Sequence, residues 1–195
     1  MGWCNFLQSG GRRIYGGWQG PEHNRFYDIW HKNKPSQNYE EKDAYYPSHK
    51  AIDFYHHYKE DIRLLGEMGF KVFRLSIAWS RIYPNGDELQ PNRAGLEFYH
   101  DVFHTCHAYG IEPLVTICHY DMPHALSVKW NGWADRRCIE LFERYCRTLF
   151  AEYGHEVKYW LTFNEINSML HLPFMSGGIN TPVDQLSDAD LYQAM

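Results

Sequence analysis

The 195-residue sequence has no window near the 18 apolar residues that a membrane-spanning helix needs. It has no G-x-G-x-x-G and no phosphate loop after any strand-like run, which weakens a doubly wound nucleotide-binding sheet. It has no basic excess: 19 Lys and Arg stand against 24 Asp and Glu, for a formal charge of −5. Neither nucleic acid nor an anionic membrane surface is therefore expected as a partner. It has no C-x-x-C pair and no apolar signal-type segment near the N-terminus, and its five cysteines, Cys4, Cys106, Cys118, Cys138 and Cys146, are an odd number. A reducing cytoplasm is the expected compartment.

It also has no H-E-x-x-H. His100, His104 and His107 share one predicted helix, but no carboxylate ligand motif accompanies them, and they are expected to form a solvated stripe. No metal and no cofactor are expected.

Charged residues at 22% and hydrophobic ones at 44% make the chain globular and not disordered. The aromatic share is high, with 7 Trp and 15 Tyr. Rings in loops around a cleft suit stacking on sugar faces, and they suit ordinary packing equally well.

Residues 1–44 show no periodicity, because Gly10-Gly11, Gly16-Gly17 and Gly20-Pro21 interrupt any pattern. From there the chain becomes regular. Ser48 is a plausible helix N-cap, and Ile52, Tyr55, Tyr58, Ile62, Leu65 and Met68 follow at helical spacing up to a stop at Gly69. Residues 71–79 read as a strand. A helix from about Asn92 turns Leu96, Tyr99, Phe103 and Cys106 inward and stops at Gly110, and residues 112–118 form the next strand. A third helix starts near Asp135, with Ile139, Phe142, Cys146, Leu149 and Tyr153 inward and Gly154 as its stop. Ser187 to Tyr192 read as the capped start of another helix.

Between them lies Lys158-Tyr159-Trp160-Leu161-Thr162-Phe163-Asn164-Glu165-Ile166-Asn167, an apolar run that delivers an Asn-Glu pair. Two readings carry equal weight on these residues alone: a strand that ends in a solvated Glu, or an acid with a perturbed pKa at the mouth of a core. Alternating helices and apolar strands point to βα units around a parallel sheet. The strand-borne residues Arg74, His119 and Glu165 recur about every 45 residues, which leaves long loops at the carboxyl ends of strands. That is where a (β/α)₈ barrel keeps its active site. Such a barrel takes about 250 residues. The chain is accordingly expected to be one incomplete barrel domain over 1–195, a truncated sequence supplying about the N-terminal half.

The runs FRLSIAWSRIYPNG (73–86), HYDMPHAL (119–126), NGWADRR (131–137) and TFNEIN (162–167) resemble family 1 glycoside hydrolases, the retaining β-glucosidases built on a (β/α)₈ barrel. YYPSHKAIDFYHHYKEDIRLL and VKYWLTFNEIN are similar to the bacterial 6-phospho-β-glucosidase branch. The resemblance covers about residues 45–195. It implies Glu165 as the general acid/base, Asn164 as the partner of the sugar 2-hydroxyl, and His119 as the partner of a neighbouring hydroxyl. Tyr120 stands where many members place a Trp against the sugar, and Arg74 is implied beside the nucleophilic carboxylate.

The family's nucleophile is a Glu in a T/I-x-E-N-G motif, which these 195 residues do not contain. Residues 1–44 also lack the family's opening wording, so its first strand and sugar-binding Gln are not recognisable. The expectation is a β-glucoside or 6-phospho-β-glucoside hydrolase whose present chain is inactive alone and self-associates through exposed barrel edges. Two rivals stay open: a non-catalytic sugar-binding or complementing fragment, and another (β/α)₈ family such as an endo-xylanase.

Overall fold

The computed structural model describes residues 52–195. Ser48, Cys4 and the whole of residues 1–44 lie outside that range.

Helix α1 (Phe54–Glu67) leads into β1 (Val72–Ser76) and the single turn α2 (Trp79–Ile82); α3 (Arg93–Ala108) leads into β2 (Glu112–Cys118) and α4 (His124–Trp130). A 3₁₀ turn at Gly132–Ala134 precedes α5 (Arg137–Tyr153) and β3 (Tyr159–Phe163). Beyond β3 come a 3₁₀ turn at Ile166–Leu170, α6 (Pro173–Gly177), a further 3₁₀ turn and α7 (Asp188–Ala194). Ser187 caps α7 through a reciprocal box with Asp190, as the residues predict. The strands form one parallel sheet in the order β1-β2-β3, with Leu75 opposite Val115 and Val115 opposite Trp160. A parallel neighbour cannot be reached by a tight turn, so each strand pair needs a helix as its crossover.

One face of this sheet is closed by the helices. Leu75, Ile77, Val115 and Ile117 meet Ile62, Leu96, Phe103, Tyr145 and Leu149 in one continuous core. The buried tyrosines fasten helix to strand end. Tyr145 lies parallel to Trp79 at 5.2 Å, and its hydroxyl donates to the carbonyls of Ile77 at 2.8 Å and Ile117 at 3.2 Å. The Tyr99 hydroxyl accepts from the Ala78 amide at 2.8 Å. Backbone groups just past a strand lose their ladder partners, and a buried one left unpaired costs about 1–3 kcal/mol.

These tyrosines explain where the predicted faces were misplaced. In α5 Leu149 and Tyr153 are buried as expected, but the first half of the stripe runs one residue earlier, through Cys138, Leu141 and Tyr145; Phe142 and Cys146 are only partly buried and Ile139 is exposed. In α1 the buried series is Phe54, Tyr58 and Ile62, because the helix starts after Asp53 in the left-handed region; Ile52 and Met68 fall outside it and are exposed. The first strand stops at Ser76, and Trp79 opens α2 instead of ending β1. The helix from Asn92 and the strand 112–118 stand as expected.

His100 departs from the expected solvated stripe, being only partly exposed. Its two ring nitrogens face Glu156 at 3.0 Å and Glu152 at 3.3 Å, tying α3 to the end of α5, while His104 and His107 are exposed. Among the described residues no group of His, Cys, Asp and Glu is arranged to hold a metal ion, and no helix is long and apolar enough to cross a membrane. The outer strand β3 is open along most of its length, with Tyr159 and Leu161 exposed.

Helix α3 approaches α2 so closely that a Cβ on Gly95 would lie 2.2 Å from the Arg81 carbonyl oxygen. Gly95→Ala is expected to force the two apart at a cost of about 2 kcal/mol or more, read as a lowered urea midpoint at unchanged slope.

Candidate active site

The carboxyl ends of the three strands bring the predicted site residues together. Arg74 lies in β1, and its guanidinium spans the sheet: Nε donates to Thr116 Oγ1 of β2 at 3.2 Å, and Nη2 donates to Asn164 Oδ1 just past β3 at 2.8 Å. The Asn164 amide continues the sheet by donating to the Cys118 carbonyl at 3.0 Å. Asn164 is thereby held from both ends, with its side-chain NH₂ left as the donor.

Glu165 follows in a left-handed conformation (φ 41, ψ 56), the point where the strand turns into a 3₁₀ helix. Its side chain is exposed, as in the first of the two readings that these residues left open. The reason is topological: β3 is the outer strand of the described sheet, so no neighbouring strand covers its end.

The loop after β2 supplies His119 and Tyr120. Tyr120 also has a left-handed backbone (φ 71), and its hydroxyl donates to Glu165 Oε2 at 2.5 Å. Burial chiefly, and then the adjoining Glu165 carboxylate, raise the pKa of this phenol, so it stays protonated and remains a donor. His119 packs edge-on against the Tyr120 ring at 5.3 Å. Burial lowers the His119 pKa first, the Arg74 charge adds to that, and Glu165 partly offsets it. His119 is therefore a neutral imidazole at pH 7.

Sequence reasoning missed two residues of this cluster. Ser168 donates to the Glu165 carbonyl at 2.5 Å and sits 3.1 Å from the Tyr120 hydroxyl. No motif marks it, since its role depends on the turn that Glu165 initiates. Asp121 is buried and bridges two strand ends, accepting from the Trp79 amide at 3.2 Å and the His119 amide at 3.3 Å. Its place in the HYDMP run was visible, and its burial was not.

A parallel sheet walled by helices on one side, with Arg, His, Tyr, Asn and Glu towards the carboxyl ends of its strands, is the arrangement of a (β/α)₈ barrel, a fold whose active sites lie at that face. Comparison with known proteins narrows the class: a model of Glycosyl hydrolase family 1 matches residues 9–195, and the chain belongs to that family. It is 65% identical over 145 residues to a 6-phospho-beta-glucosidase of Clostridium longisporum, covering 74% of this chain and 31% of that protein. It is 56% identical over 152 residues to the 6-phospho-beta-glucosidase AscB of Escherichia coli, covering 78% of this chain and 32% of that one. A family 1 β-glucosidase from Thermotoga maritima superposes with a TM-score of 0.67 at 34% identity, over 84% of this chain and 35% of that one. The rice β-glucosidase Os3BGlu6 superposes at 0.62 with 40% identity, over 73% and 29%. The chain thus spans about a third of the length of the curated relatives it matches, and its strands and helices are those of half a (β/α)₈ barrel.

Burial pushes the Asp121 carboxyl up to about 6, from an ordinary 3.8. Between those two values the folded chain retains a proton that the unfolded chain has released. Its contribution to stability is therefore fully present below about pH 4 and is lost as pH rises to about 6. Asp121→Asn does not titrate, so the stability difference between parent and variant is expected to change by about 3 kcal/mol across that window and to be flat above it. Urea melts at pH 4, 5, 6 and 7 measure it.

Proposed function

We propose that this chain carries the acid/base half of a retaining β-glucosidase site, acting on β-glucosides and in particular on 6-phospho-β-glucosides. The observation that carries the reading is the Arg74–Asn164–Glu165 arrangement across the ends of β1 and β3. The relatives named 6-phospho-beta-glucosidase support the phosphorylated substrate class.

In this mechanism Glu165 donates a proton to the leaving glycosidic oxygen while a second carboxylate, about 5–5.5 Å away, attacks the anomeric carbon. Glu165 then takes a proton from the water that releases the sugar. Asn164 offers its amide hydrogens to the sugar 2-hydroxyl because Arg74 already occupies its oxygen. Neutral His119 bonds a neighbouring hydroxyl, and the Tyr120 ring lies against the sugar. Arg74, besides anchoring Asn164, holds the nucleophile ionised and oriented by its charge.

The nucleophile's motif is not among the 195 residues. The isolated 195-residue polypeptide is therefore expected to release no nitrophenol from aryl β-glucosides or their 6-phosphates. Turnover that disappears in Glu165→Gln would contradict that expectation.

Exposed Tyr159 and Leu161 on the outer strand support self-association of this polypeptide. Sedimentation velocity is expected to show mass rising with concentration, and a single monomeric boundary over a hundredfold range would refute it.

A further inference from the structure

Glu165 is exposed, so packing does not hold its side chain in one rotamer. Hydrogen bonds must do so. Its Oε2 receives the Tyr120 hydroxyl at 2.5 Å, and its own carbonyl receives the Ser168 hydroxyl at 2.5 Å. The two hydroxyl oxygens lie 3.1 Å apart, so the two groups meet on the same residue, each with its one hydrogen directed at Glu165. Tyr120 is itself fixed, half-buried and edge-on to His119.

We propose that Tyr120 and Ser168 form a two-hydroxyl clamp that orients the Glu165 carboxyl, so that Tyr120 is a positioning residue for proton transfer as well as a wall of the sugar site. The clamp occupies Oε2 and leaves Oε1 to face a leaving oxygen. The other groups facing this carboxyl are His119, which is neutral, Asn164, and the Arg74 cation behind it. The inference rests on Glu165 being the acid/base.

Carbon-13 NMR of Glu-labelled 195-residue chain tests the clamp directly, with amide spectra checking that each variant is folded. In Tyr120→Phe, which keeps the ring and loses the donor, the Glu165 carboxyl carbon resonance is expected to move by more than a linewidth at fixed pH, because the hydrogen bond on Oε2 is gone. Ser168→Ala is expected to move it by less, and it serves if the Phe variant does not fold. An unchanged resonance in the folded variants overturns the clamp.

In the catalytically complete enzyme, Tyr120→Phe is expected to lower kcat/KM about tenfold for substrates with poor leaving groups and less than twofold for dinitrophenyl substrates, which need no proton. Equal losses on both would overturn the positioning role. If Glu165→Gln itself has no leaving-group dependence, the acid/base assignment fails, and that result is distinct from failure of the clamp.

Discussion

The Tyr145 hydroxyl, donating to the carbonyls of Ile77 and Ile117, is the contact on which the geometry of the site depends. Both carbonyls lie where strands leave the sheet, and both belong to segments that lead directly to site residues. Ile77 follows the strand that carries Arg74; Ile117 precedes His119 and Tyr120 by two and three residues. Because the phenol is buried and stacked on Trp79, it joins the two strand ends to α5 in a dry environment where a bond lost would not be replaced by water. Asp121 repeats the device one layer up, joining the Trp79 and His119 amides.

Above these two bridges the site is a chain of polar contacts laid across the sheet. Arg74 reaches from β1 over β2 to Asn164 beyond β3, and Tyr120 reaches from the β2 loop to Glu165. Each contact crosses between neighbouring strands, so the site exists only when the parallel register is formed. Two of the left-handed non-glycine residues, Tyr120 and Glu165, meet across this line. Non-glycine residues in that region cost on the order of 1 kcal/mol or more each, and they persist where the surroundings determine the backbone. Here those surroundings are the strand ends below and the hydroxyl contacts above.

Helix and strand existence was legible because the apolar pattern follows period 3.6 and the glycine stops at Gly69 and Gly110 sit in the positive φ region that favours glycine. Which face turned inward was less legible. In α5 the polar end of Tyr145 decides the rotation, since its hydroxyl must reach two carbonyls, and an apolar count gives that hydroxyl no weight. His100 escaped notice for a similar reason: its partners, Glu152 on α5 and Glu156 just past its end, lie more than fifty residues away.

The sequence by itself determined the family and the alternation of helices with strands of a parallel sheet, and it singled out Arg74, His119, Tyr120, Asn164 and Glu165 as candidates, because these depend on residue type and spacing along one chain. Tertiary structure alone decided that Glu165 is exposed, that Ser168 and Asp121 join the site, and that Arg74 grips Asn164. Those outcomes depend on distances between segments that meet only when parallel strands align, and no local pattern encodes such distances.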